Sequence, residues 1–395
     1  MTGDGAKPGL ATALVHHGYR PPEGFAAPQP GVHKASTVLF RDVAALRARD
    51  WRSRGGYTYG LHGTPTTFTL EERIATLEGG THCVLAPSGL AAIALVNQAL
   101  LDRGSEVVLP ANVYGPSREM ARHELARWGI GHRVYDPQDP DSLARAIGPA
   151  TRLVWLEAPG SVTMEFPDLA ALAAICRARG VTSALDNTWG AGIALRAFDH
   201  GIDIAMQALT KYPSGGGDVL MGSVVTRDAT LHGKILLAHM HLGLGVGAND
   251  AELVLRGLSS LSLRYAAHDQ AARELAAWFT TRREVVQVLH PALPGSPGHA
   301  HWARHCTAAA GLFSVLLDPV FSPEQVDVFV DSLRRFGIGY SWAGPMSLVV
   351  PYDLNAMRPE GHGLRSGHLV RFSIGLEDVA DLQSDLDRAL GLAFG

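Results

Sequence analysis

From His82 onward the chain alternates short apolar runs with stretches whose apolar positions recur every three or four residues. HCVLAPS reads as a strand, Ser88 as a cap, Gly89 to Leu101 as an apolar helix and Gly104 as its stop. EVVLPA is the next strand. PSREMARHELARWG, HRVY, PDSLARAIG, RLVWLEAP, PDLAALAAICRARG and TSALDN then continue the alternation of helix and strand to Asn187. Apolar strands alternating with helices predict a largely parallel sheet covered on both faces. DIAMQALT and VLMGSVVT add two strands, and the pattern from Leu231 to Arg283 predicts a long helical stretch leading to a second unit. From Pro291 the signals mix. GLFSVLLD and HLVRFSIG look like strands, PEQVDVFVDSLRRFG and DVADLQSDLDRALG like amphipathic helices, which describes a smaller α+β domain. Residues 1–58 are rich in Gly, Pro and Arg without sustained periodicity and read as an arm lying over another surface. The expected division is therefore an arm over 1–58, an α/β domain over 59–255 and an α+β domain over 256–395.

Composition narrows the functional classes. A chain of 395 residues exceeds one ordinary core, and 46% hydrophobic against 18% charged residues is globular rather than disordered. A net charge of -4 offers no basic field for a phosphate backbone, so nucleic acid is not an expected partner. No apolar run reaches the ~20 residues of a membrane span, and MTGDGAKPGL lacks the apolar core of a signal peptide, so a cytoplasmic location is expected. Cys83, Cys176 and Cys306 are too few and too scattered for a disulfide framework or paired zinc ligands, and read as reduced thiols. Among the 34 basic residues the lysines are only Lys7, Lys34, Lys211 and Lys234. Arginine forms no imine, so a lysine kept beside an apolar strand invites a chemical reading, and Lys211 is the one so placed.

Ligands of parallel α/β sheets sit beyond the C-terminal strand ends. Three such ends carry suggestive groups. Ser88-Gly89-Leu90 opens a helix whose free N–H groups can hold a phosphate, although a plain N-cap has the same appearance. Asp186 ends an apolar strand, where a carboxylate needs a cationic partner; a protonated pyridine nitrogen is one, and a turn or helix cap made with Asn187 is the alternative. Lys211 follows DIAMQALT, with Thr210 before it and PSGGGD after it. Desolvation there lowers an amine pKa and favours imine formation, whereas a surface lysine would snorkel. Phosphate donor, pyridine partner and imine lysine at successive strand ends point together to pyridoxal 5'-phosphate.

These residues lie in longer segments: YGLHGTPTTFTLEERIATLEGG, NVYGPS, EAPGSVTMEFPD, LDNTWGAG, FDHGIDIAMQALTKY and RFSIGLEDVADLQSDLDRAL. With them the chain resembles, over nearly its whole length, the cystathionine β-lyase and γ-synthase family of pyridoxal-phosphate enzymes. The resemblance implies an aspartate-aminotransferase-like fold (fold type I) with a mostly parallel large domain and a smaller α+β C-terminal domain. It also implies a homotetramer of two close dimers with sites shared between subunits. By position, Lys211 is the imine lysine, Asp186 the pyridinium partner and Tyr114 the aromatic over the ring. Gly89, Leu90, Thr210 and, from the partner subunit, Tyr59 would hold the phosphate, and Tyr114 and Tyr59 join Lys211 as expected catalytic groups. Arg371 would clamp the substrate α-carboxylate, with Ser341 and Trp342 beside it.

Two positions depart from the family pattern. Leu61 stands where an arginine usually reaches a phosphate across the dimer, with His62 as a possible substitute donor, and GGGD at 215–218 replaces a GHSD-like sequence. HAHWARH, with His301 and His305 one helical turn apart, and the pair His239 and His241 suggest metal, but neither brings an adjacent acidic residue in sequence, and no metal is expected. Ser341-Trp342 is closer to bacterial β-lyases than to γ-synthases. The expected reaction is β-elimination of L-cystathionine, a small amino-acid thioether, to homocysteine, pyruvate and ammonia. A γ-synthase, a γ-lyase or a cysteine desulfhydrase is the alternative, and a non-catalytic cofactor-binding relative a further one.

Overall fold

The computed structural model describes residues 8–16, 18–358 and 363–395; Lys7 and the start of the arm lie outside them. Seven strands make the larger sheet: β1 His82–Ala86, β2 Glu106–Pro110, β3 Gly131–Tyr135, β4 Thr151–Glu157, β5 Thr182–Asp186, β6 Ile204–Ala208 and β7 Gly222–Thr226. Their order is β1-β7-β6-β5-β4-β2-β3. Only β7 runs against its neighbours, pairing antiparallel with both β1 and β6. The other six therefore point the same way, and the ends of β1, β2, β4, β5 and β6 come out on one edge of the sheet.

Both faces of this sheet are buried, as its unbroken apolar strands require. One face packs on the helices Gly89–Leu100 and Ala229–Leu242, the other on Pro65–Glu78, Leu169–Ala178 and Ala248–Leu258. The Pro65–Glu78 helix carries its own boundaries. Thr64 and Thr67 form a reciprocal cap, Pro65 takes the first turn, and Gly79 closes the helix at φ 75. Of the arm, the helix Leu10–Val15 buries Leu14, and Arg73 donates to the carbonyls of Ala13 and His16.

The smaller sheet follows: β8 Val285–Leu289, β9 Leu312–Leu317, β10 Gly337–Ile338, β11 Leu348–Tyr352 and β12 His368–Ser373, ordered β10-β11-β12-β9-β8. The helices Leu261–Phe279, Pro323–Ser332 and Val379–Phe394 cover it around Phe279, Phe313, Phe329 and Phe372. Two expectations need correction. The helical stretch from Leu231 to Arg283 is three helices, because Gly243 takes a left-handed backbone at φ 67 and Ser259-Ser260 interrupts the pattern again. The strand expected to run into Lys211 stops at Ala208, and the lysine sits in the turn beyond, where its N–H donates to Ala208 O at 3.1 Å.

Candidate active site

The strand ends of the larger sheet and the edge of the smaller one enclose a cavity of about 720 Å³. Lys211, Asp186, Tyr114, Gly89, Leu90, Thr210, Ser341, Trp342 and Arg371 all line it. Lys211 Nζ donates to Ser341 Oγ at 2.6 Å and lies 5.4 Å from the Trp342 ring centre. Burial and the neighbouring Arg371 lower its pKa to about 8, against the opposing pull of Asp186. Ser341 is held at φ 90 and Ala343 at φ 68, backbone that non-glycine residues adopt only when their surroundings impose it.

Asp186 ends β5. Its Oδ1 accepts from the N–H and the hydroxyl of Thr188, and Thr188 Oγ1 in turn accepts from Ala208 N at 2.9 Å, tying the ends of β5 and β6 together. Burial raises the Asp186 pKa, and the Thr188 bonds and Lys211 moderate the rise. Glu157, at the end of β4, accepts from Tyr114 N at 2.7 Å; burial, then Asp186, pushes its carboxyl well above the usual range. Beneath them Glu78 accepts from Asn187 at 2.8 Å and from Gln207, and burial moves its pKa up to about 7.

At the helix Gly89–Leu100 the Ser88 hydroxyl caps Ala91 N at 3.0 Å, and among the described residues the Gly89 and Leu90 N–H groups have no partner. Gly89 lies tight on β6: a Cβ there would stand 2.6 Å from that of Ala208. The Thr210 hydroxyl donates to Met221 O at 3.2 Å and accepts from Met221 N at 3.1 Å, so its proton is committed within the chain. Arg371, on β12, is 7% exposed, and its hydrogen bond among the described residues is a long one, Nη2 donating to Ser341 O at 3.3 Å. An amine, a buried carboxylate with Oδ2 uncommitted, an aromatic ring and two unpaired N–H groups fit pyridoxal phosphate in kind and number.

A family model for Cys/Met metabolism PLP-dependent enzymes matches residues 11–391. The chain belongs to that family. It is 40% identical over 394 residues to a cystathionine beta-lyase of Bordetella avium, covering 97% of this chain and 98% of the other. To a putative cystathionine beta-lyase of Rhizobium johnstonii it is 38% identical over 388 residues, covering 98% and 96%. The crystal structure of cystathionine gamma synthase from Xanthomonas oryzae pv. oryzae in complex with cystathionine matches with a TM-score of 0.89 at 31% identity, over 98% of this chain and 99% of that one. The fold is that of the type I pyridoxal-phosphate enzymes, and the chain is a pyridoxal-phosphate-dependent enzyme of cysteine and methionine metabolism.

Tyr59, expected to serve a partner subunit's site, is 46% exposed and does not line its own chain's cavity; Leu61 and His62 line a smaller recess with Trp51, Phe68 and His239. His62 Nδ1 lies 2.8 Å from Thr58 Oγ1, and burial with nearby Arg49 lowers its pKa. The HAHWARH helix has an acidic neighbour only through the fold: Asp168, the cap of a helix distant in sequence, lies 3.5 Å from His301 and 3.7 Å from His305. Among the described residues no group of three or more His, Cys, Asp or Glu is placed to hold a metal ion. His239 Nε2 is 2.8 Å from Leu244 O, a helix-end contact.

Sequence reasoning missed Thr188, Glu157, Glu78, Tyr352 and Arg358. Thr188 had a signal, lying two residues past Asp186 where an Asp-x-Thr turn closes. Arg358 had none. It reaches the cavity by donating to Thr163 Oγ1 at 2.7 Å, from a segment with no periodicity.

Proposed function

We propose that the enzyme is a cystathionine β-lyase, converting L-cystathionine and water to homocysteine, pyruvate and ammonia. The observation that carries the reading is the seat of Lys211, between the Ser341 hydroxyl at 2.6 Å and the Trp342 ring at 5.4 Å. Lys211 would hold the cofactor through Nζ, Asp186 would keep the ring nitrogen protonated, Tyr114 would cover the ring, and the free N–H groups of Gly89 and Leu90 would receive the phosphate, with Thr210 able to join them only by giving up its bond to Met221 O. Tyr59 completes the phosphate site from a neighbouring subunit. Bound there, pyridoxal phosphate supplies an electron sink for negative charge at the substrate Cα.

Arg371 fixes the α-carboxylate with its two parallel N–H groups, which orients the Cα–H bond toward Lys211. Lys211 Nζ would then take the substrate Cα proton. An amine with a pKa of about 8 is well matched to that task near neutral pH. The Cβ–S bond then breaks, and a proton passes to sulfur from Lys211 or from the Tyr114 phenol. Cleavage at Cγ needs a second proton removed from Cβ, and a lysine confined between Ser341 and Trp342 favours the single transfer at Cα. The two beta-lyase relatives, at 38% and 40% identity, support the same reading.

A γ-type activity is the second reading, favoured by the likeness to the Xanthomonas gamma synthase structure. Incubation of the holoenzyme with L-cystathionine separates the two. Pyruvate with homocysteine is the expected result. 2-Oxobutyrate with cysteine would overturn the β-lyase reading, and a visible cofactor band with no turnover of L-cystathionine would place the chain among non-catalytic cofactor-binding relatives.

A further inference from the structure

We infer that Tyr352 is a positioning residue for the carboxylate site: the face of its ring holds the Arg371 guanidinium in the orientation that a substrate carboxylate requires. The inference rests on the reading of Arg371 as the carboxylate clamp. Tyr352 ends β11, and Arg371 stands on the adjacent antiparallel strand β12. Arg371 is opposite Val350, so Tyr352, two residues on, projects from the same sheet face as the diagonal neighbour. The guanidinium carbon lies 5.3 Å from the centre of the Tyr352 ring, within cation–π range.

Among the described residues nothing else fixes that head group firmly. Its hydrogen bond among the described residues is 3.3 Å long and leads to a carbonyl of the strained Ser341 segment. A guanidinium that must offer two parallel N–H groups gains from a flat support beneath it, since the stack restricts rotation and leaves the in-plane donors free. Tyr352 lines the same cavity, and the ring of Tyr340, which also lines it, lies 6.3 Å away at an interplanar angle of 65°.

The test uses the holoenzyme and two probes, L-alanine and L-alaninamide, titrated by the change in cofactor absorbance. The ratio of their dissociation constants isolates the carboxylate contribution. Tyr352→Leu should weaken L-alanine by about three- to thirtyfold, the span of a cation–π contact at this burial, and leave L-alaninamide unchanged. Tyr352→Phe, which keeps the ring face, should recover most of the loss. With substrate, the change should fall on KM rather than kcat. If Tyr352→Leu does not fold, Tyr352→Gln removes the ring at similar length. A ratio unchanged by loss of the ring, or equal weakening of both probes, would overturn the inference. Arg371→Lys is the control for the underlying reading: if it also leaves the ratio untouched, the clamp assignment fails, whereas a collapse there beside an unaffected Tyr352→Leu condemns only the role given to Tyr352.

Discussion

Lys211 owes its lowered pKa of about 8 chiefly to burial, with Arg371 adding repulsion and Asp186 opposing both. A lowered lysine pKa makes the neutral amine available above the shifted value, so the nucleophilic fraction grows as pH rises through about 8 rather than through the usual range. Uptake of pyridoxal phosphate by the apoprotein, followed by visible absorbance, should therefore climb through pH 8 and then level. Arg371→Met should move that midpoint upward, because one source of repulsion is gone, and Lys211→Ala should show no lysine-dependent band. A midpoint unmoved by Arg371→Met would mean that the two groups do not share a site in solution. At this scale the sequence was legible where chemistry demands a rare residue. Four lysines in the chain made Lys211 conspicuous, and Asp186 at an apolar strand end needed a partner. Glu78 was hidden for the opposite reason: a glutamate late in an amphipathic helix looks solvated, and only the fold brings Asn187 and Gln207 to it.

Elements that span the larger core were readable because burial on both faces leaves unbroken apolar runs, as in β4, β5 and β6. β11 was not, since LVVPY contains a proline. That proline is tolerated because β10 pairs only with Leu348 and Val349, leaving the outer edge of β11 open at Pro351. The junction of β1 with the helix Gly89–Leu100 matters most at this scale, because it aims two unpaired N–H groups into the cavity while pressing against β6. Gly89→Ala places a methyl 2.6 Å from Ala208 Cβ and 3.2 Å from its Cα, both on the end of a core strand that cannot swing aside. The helix start must shift instead. Overpacking of this kind costs about 1 to 3 kcal/mol, so thermal unfolding should move down. Cofactor affinity should fall as well, because the same shift turns the donors. Gly89 sits at an ordinary helical φ, so backbone strain does not contribute. Loss of stability with unchanged cofactor titration would show that the phosphate does not depend on this helix start.

The distribution of apolar surface over the whole molecule gives the arm its meaning. Phe25 is 67% exposed and Leu39 is 89% exposed, and Val43, Tyr57 and Tyr59 are also open, a concentration of large apolar side chains in one N-terminal segment. Such a surface suits contact with another chain. Tyr59 belongs to it, bridged to Thr37 by backbone pairing and lying outside its own chain's cavity. These positions suit the proposal of a site shared between symmetric copies: one subunit would bring Tyr59, just past its arm, to the neighbour's phosphate, with Leu61 contributing an alkyl chain rather than a charge. The arrangement can be tested by hybrids. Lys211→Ala and Tyr59→Ala subunits, carrying different tags, are co-expressed and the mixed oligomer is purified. In a hybrid of shared sites, one site receives both defects while another joins an intact Lys211 to an intact Tyr59. The hybrid should therefore regain turnover and phosphate affinity that neither parent oligomer has. If Tyr59 serves only its own chain, every site in the hybrid keeps one defect, and the mixed oligomer will be no more active than the average of its parents.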